Sequence, residues 1–192
     1  VIEGQHAALL ALLAAGHKLP DIARRIGSLY GAMIFEHDFF HGDPHPGNML
    51  VQPDGTIALL DYGLCKALPK GFAGRLADMM VSSMVGDSPR ALAAAEELGF
   101  EIDRLEAKHL RTMMLLTIGD WDGEESLFEI VTASRIEKIP DDFALVVRTL
   151  VLLNGLSHRL VPGRRLVQAK LLEHLAAGAA RDMAQRREAD AA

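Results

Sequence analysis

Apolar residues recur every three or four positions along most of this chain, a spacing that predicts helices over nearly all of it. "HAALLALLAAG" (6–16) reads as a short apolar helix closed by Gly16. "LPDIARRIGSLYGAMIFEHDFF" (19–40) follows, with Pro20 in the first turn and Ile22, Ile26, Leu29 and Met33 as its core stripe. Further on, "PKGFAGRLADMMVSSMVG" (69–86) reads as one helix whose methionines fill core gaps. "DSPRALAAAEELG" (87–99) carries Asp87 or Ser88 as cap, Pro89 early and Gly99 as stop. "DRLEAKHLRTMMLLTIG" (103–119) begins with Asp103 and has Glu106 three residues on, close to a capping box. Helices near 124–134, 141–158 and 163–180 complete the series, and the polar tail 181–192 is expected to fray.

The helical period breaks once. "MLV" and "IALL" flank "QPDG", two β-prone segments around a Pro-Asp-Gly turn, which predicts a hairpin. It sets Asn48 just before the first strand and Asp61 just after the second, both at one end of the ribbon. The expected architecture is mainly α with a small β-hairpin.

Composition narrows the class. A chain of 192 residues with 49% hydrophobic and 24% charged residues suits one globular domain with a sizeable core. The formal net charge of −6, with no basic stripe carrying interleaved aromatics, argues against nucleic acid as a partner. One cysteine, Cys65, excludes an intrachain disulfide framework. The longest apolar stretch, 143–156, is interrupted by Arg148 and reads as a buried helix. The first residues, "VIEGQHAALL", have the character of neither a signal nor a transit sequence.

Chemistry concentrates in "HGDPHPGNML" (41–50) and "LLDYG" (59–63). His37, His41, Asp43 and His45 suggest zinc superficially, but two prolines prevent a regular helix from aligning them, and no second cluster completes a shell. "GDWDGEES" (119–126) is acidic, yet Val131 stands where a calcium loop begun at Asp120 needs a carboxylate. Cys65 has no clear activating base and reads as a small buried residue. Phosphoryl transfer fits better: it needs a carboxylate to accept or orient the nucleophile's hydrogen and hard oxygen ligands for Mg²⁺. His41-x-Asp43-x4-Asn48 followed by Asp61-Tyr62-Gly63 is the protein-kinase layout of catalytic loop and metal loop. In it Asp43 is the catalytic carboxylate, Asn48 and Asp61 are metal ligands, and His41 is a structural hydrogen-bonding residue. Leu50, two residues beyond Asn48, is a candidate floor for an adenine ring, or ordinary strand core.

"FFHGDPHPGNMLV" (39–51) and "IALLDYGLCKAL" (57–68) resemble the catalytic and metal loops of the UbiB/ADCK family of atypical kinases. "VVRTLVLLNGLSHRLVP" resembles its C-terminal helical region less specifically. The resemblance implies a protein-kinase-like large (C-terminal) lobe over 1–180, with the loops at 41–63 and a helical subdomain at 69–180. It implies ATP and Mg²⁺ as cofactors, with Asp43 catalytic and Asn48, Asp61 and Leu50 at the nucleotide. It also implies a role in isoprenoid-quinone biosynthesis or lipid homeostasis, a lipid or quinone-pathway partner, and an intracellular place at a bacterial, mitochondrial or plastid membrane. The family's K-x-G-Q segment, Ala-rich loop and strand lysine have no match here. The expectation is therefore a large-lobe piece, inactive alone. Two rivals stand beside it: an aminoglycoside- or choline-kinase-like phosphotransferase, which shares H-G-D-x-H-x-x-N, and a non-catalytic pseudokinase-like scaffold.

Overall fold

In the computed structural model, residues 9–102, 112, 114–115 and 136–190 are described. They form five named helices and three two-stranded antiparallel pairs. The helices are α1 (Leu19–Glu36), α2 (Phe72–Val85), α3 (Ser88–Leu98), α4 (Asp141–Leu160) and α5 (Leu166–Asp190). The strands are β1 (Phe39–His41), β2 (Met49–Val51), β3 (Ile57–Leu59), β4 (Cys65–Ala67), β5 (Glu101–Ile102) and β6 (Ile136–Lys138). Leu9 to Ala14 form the helical end of the first apolar segment, and Gly16 follows at φ +82°. The expected helices over 103–119 and 124–134, with the acidic stretch at 119–126, lie outside the described residues apart from isolated helical positions.

One continuous core joins the helices. Ile22, Ile26, Tyr30 and Ile34 of α1 meet Leu76, Met79 and Met80 of α2, Val146, Leu150 and Leu153 of α4, and Val167, Leu171 and Leu175 of α5. The methionines of α2 are core, as the sequence suggested. Glycines bring α1 and α5 together closely. A Cβ on Gly27 would sit 2.6 Å from the Val167 carbonyl oxygen, and one on Gly31 would sit 2.6 Å from the His174 ring. Only hydrogen fits at either place, so the backbones approach where larger residues would hold them apart. α4 has the length and apolar content of a membrane span, yet Phe143, Val146, Leu150, Leu153 and Leu156 on it are buried in this core.

Two expectations need correction. The second helix does not run to residue 40. It stops at Glu36, Asp38 takes φ +46°, and Phe39–His41 pair with Cys65–Ala67 as a strand. Asp38 holds that reversal: its carbonyl accepts from Leu68 N–H at 2.7 Å and its carboxylate from Ala73 N–H at 3.3 Å. The last helix does not end at 180 but continues to Asp190. Arg186 grips both oxygens of Glu97 on α3 at 3.0 and 2.8 Å and reaches Asp182 at 2.6 Å, so the charged tail has partners. Paired and bidentate, these groups favour one helical arrangement over a frayed one.

Candidate functional site

The expected hairpin forms, and in it Met49 faces Leu59 and Val51 faces Ile57. One step further, Leu60 N–H donates to Asn48 O at 2.8 Å, so the pairing continues to the end of the ribbon. Asn48 and Asp61 therefore leave the hairpin at the same end. Before it, the His45 ring accepts from Gly47 N–H at 3.0 Å and caps a 3₁₀ turn, Pro46–Asn48. After it, Asp61 takes φ +57°, a left-handed conformation uncommon outside glycine. Its Oδ1 accepts from Gly63 N–H at 3.1 Å and caps a second 3₁₀ turn, Tyr62–Leu64.

Two sets of bonds join these turns. β1 and β4 pair outside them, and Gly42 N–H donates to Leu64 O at 2.9 Å. Inside, the fully buried His41 ring spans both loops. Its Nε2 lies 2.9 Å from Asp61 O and 3.1 Å from Leu60 O, while Asp43 N–H donates to Nδ1 at 3.3 Å. Two carbonyls at Nε2 require a hydrogen there, and an amide at Nδ1 requires a lone pair, so the ring is the neutral Nε2–H tautomer. His41 is a strut between the loops, with neither nitrogen left for zinc or for base chemistry. Around it, Lys66 of β4 pairs with Asp142 of α4 at 2.6 Å, and the Thr149 hydroxyl reaches Gly42 O at 3.4 Å.

The polar side chains are placed accordingly. Asn48 Nδ2 donates to Asp43 Oδ2 at 2.8 Å and to Asp43 O at 3.3 Å. An ionised carboxylate only accepts, so this contact fixes which end of the Asn48 amide faces Asp43 and turns carbonyl Oδ1 away from it. Asp61 is exposed, and no described residue hydrogen-bonds its Oδ2. One amide oxygen and one carboxylate at one end of a ribbon are hard donors that fit Mg²⁺, which takes few protein ligands and completes its shell with phosphate and water. Among the described residues, no group of three or more His, Cys, Asp or Glu side chains converges as a metal site.

Leu50 is exposed on β2 and, with Met49 and Val51, lines an apolar cavity of about 700 Å³. Leu12, Ile22, Ile26, Met49 and Leu156 form much of its wall, with Arg159 at its margin. Burial, followed by the Asp61 charge, pushes the Cys65 thiol above its ordinary range, so it stays protonated. One contributor escaped the sequence reading. Tyr30 is fully buried with its hydroxyl 3.5 Å from His41 Nδ1. The signal was present: one of two tyrosines in the chain stands four residues beyond Ile26, putting a hydroxyl on an apolar stripe.

Comparison with known proteins places both loops within a kinase-like domain. Residues 2–95 match the model of the ABC1 atypical kinase-like domain. The chain belongs to the ABC1/AarF (UbiB/ADCK) family of atypical kinase-like proteins. It is 31% identical over 169 residues to an uncharacterized Synechocystis protein, covering 81% of this chain and 29% of the relative. It is 40% identical over 86 residues to AarF domain-containing kinase 1 of Drosophila melanogaster, 43% of this chain and 17% of that protein. The Xenopus tropicalis AarF domain-containing protein kinase 1 is 36% identical over 125 residues, 62% of this chain and 23% of that protein. The chain thus spans less than a third of the length of each of these relatives.

Proposed function

We propose that the protein is a Mg²⁺-ATP-dependent atypical kinase or ATPase of the UbiB/ADCK type, and that this chain is the large-lobe side of its nucleotide cleft. The observation that carries this reading is the Asn48–Asp43 bond, which leaves Asn48 Oδ1 turned from Asp43 at the hairpin end that also carries Asp61. Asn48 and Asp61 hold the metal, Leu50 floors the adenine, and Asp43 orients and accepts the hydrogen of the attacking hydroxyl or water. When bound, Mg²⁺ neutralises charge that develops on the phosphate oxygens. Asp43 sits half-buried, its carboxylate steadied by the Asn48 amide and its backbone by His41, so it meets the nucleophile without rearranging first.

The apolar cavity that Leu50 helps line extends to Leu12, Ile26 and Leu156, and that part of it suits a greasy ligand, in keeping with a role in isoprenoid-quinone or lipid chemistry. The same reading sets the whole protein inside the cell, at a bacterial, mitochondrial or plastid membrane surface. Family membership replaces the aminoglycoside-kinase alternative.

The test uses the protein at its full natural length. Asp61→Asn and Asn48→Ala should each lower Mg²⁺-ATP turnover by about 100-fold or more. Unchanged ATPase activity in the double variant would sink the assignment. If the wild type also shows no Mg²⁺-nucleotide-dependent rise in melting temperature, the scaffold reading takes its place.

A further inference from the structure

Resting on the reading above, we propose that Tyr30 is a positioning residue for the metal loop: its buried hydroxyl donates to His41 Nδ1, seating the imidazole that holds the Leu60 and Asp61 carbonyls. The geometry is continuous. Tyr30 rises from the middle of α1, fully enclosed, and His41 Nδ1 is the partner its oxygen meets, at 3.5 Å. Nδ1 carries no hydrogen, and its one lone pair is shared by Asp43 N–H at 3.3 Å and the phenol at 3.5 Å, so the phenol supplies the proton of this shared contact. Burial first, then the nearby Asp43 carboxylate and Cys65, push the Tyr30 hydroxyl far above its ordinary range, which keeps that proton in place.

From the ring, Nε2–H passes to Leu60 O and Asp61 O, and Asp61 stands at φ +57°. A non-glycine residue persists there only when its surroundings over-determine it. The His41 strut is such a constraint, and Tyr30 anchors the strut to the buried helix α1 that precedes the loop. The hydroxyl thus acts on the metal ligand through one intermediary, the His41 ring, without touching the substrate. Phe at this position keeps the ring and its packing and removes only the donor.

The experiment compares wild type with Tyr30→Phe in the protein at full natural length, with Leu76→Val as a purely structural control in the same core. Two quantities are read. One is the ¹⁵N resonance of His41 Nδ1, which moves to higher shift when a bare ring nitrogen loses a donor. The other is the Mg²⁺ concentration giving half-maximal thermal stabilisation at fixed ATP. Tyr30→Phe should move the Nδ1 resonance and raise that Mg²⁺ concentration about five-fold, the scale of one lost hydrogen bond. Leu76→Val should lower the melting temperature and change neither. An unmoved Nδ1 resonance overturns the proposal, and so does an unmoved Mg²⁺ requirement in a protein that binds Mg²⁺-ATP. Should wild type show no Mg²⁺-ATP response, the kinase reading falls, and the Nδ1 resonance alone decides whether Tyr30 seats His41.

Discussion

Asn48 donates its side-chain amide to the carboxylate of Asp43 across 2.8 Å, closing the loop between them. The prolines and glycine between these residues shape that loop: Pro44 is buried, and Pro46 and Gly47 form the 3₁₀ turn that returns Asn48 toward Asp43. One contact therefore settles two matters, the steadiness of the carboxylate and the direction of the amide oxygen.

That geometry separates the chemical step from binding. Asp43→Asn preserves size and can still pair with the Asn48 amide, but it cannot accept the nucleophile's proton. Turnover in the full-length protein should fall about 10²- to 10⁴-fold. Nucleotide affinity, measured by titration calorimetry, should stay within a few-fold of wild type, since Asn48 and Asp61 remain. A matching loss of affinity would move Asp43 from catalysis to binding.

Local signals made the helices and hairpin legible, and long-range ones hid the rest. The hairpin was readable because "QPDG" sits between two β-prone runs that it joins directly. The β1–β4 pair was not, because three residues are too few to show a period of two, and Cys65–Ala67 lie far along the chain from Phe39–His41. Two aromatics at 39 and 40 continue a helical stripe equally well, and only the turn at Asp38 tells them apart. The tail beyond 180 looked solvated because its partner, Glu97, belongs to another helix. Asp43, Asn48 and Asp61 were legible as a motif. The place of Tyr30 on the apolar stripe was legible too, but its contact with the His41 ring was not, since no spacing rule reports which helix passes beneath a loop.

Gly42 is where the two loops touch. Its N–H donates to Leu64 O, and a Cβ added there would lie 2.8 Å from that same oxygen. Both partners are backbone, so neither can rotate away. Gly42→Ala should therefore separate the catalytic and metal loops at a cost of about 1–3 kcal/mol in unfolding free energy. The loss in turnover should exceed that measured for an equally destabilising change in α2, such as Met80→Ala. Equal losses in the two variants would show that loop apposition contributes nothing specific.

The close approach of α1 and α5 offers a test of folding alone. Gly27→Ala drives a methyl into the Val167 carbonyl, and Gly31→Ala drives one into the His174 ring. The first obstacle is rigid backbone, while the second is a side chain that can yield by giving up its Glu36 contact and shifting its Cβ from 2.9 Å. Denaturant unfolding should show Gly27→Ala losing about 1–3 kcal/mol or more, and Gly31→Ala losing less. The reverse order would mean that the His174 ring is fixed more firmly than the helix backbone beside it.

That firmness has a pH dependence through Glu36. Its carboxylate accepts from His174 Nδ1 at 2.5 Å and lies 3.8 Å from Arg181 Nη2, joining the end of α1 to α5. The hydrogen bond to His174, and then the charges of His174, Arg181 and His37, lower the Glu36 carboxyl below its usual range. A group depressed in the folded state binds its proton more readily when unfolded. Its stabilisation is therefore present above the ordinary carboxylate range and is lost as pH falls through the lowered value. Wild type should consequently lose melting temperature faster than Glu36→Gln on acidification below about pH 4.5, the unperturbed value, with the two curves converging at the acid end. Parallel curves across that range would place the hold between α1 and α5 in packing alone, with no contribution from the Glu36–His174 pair.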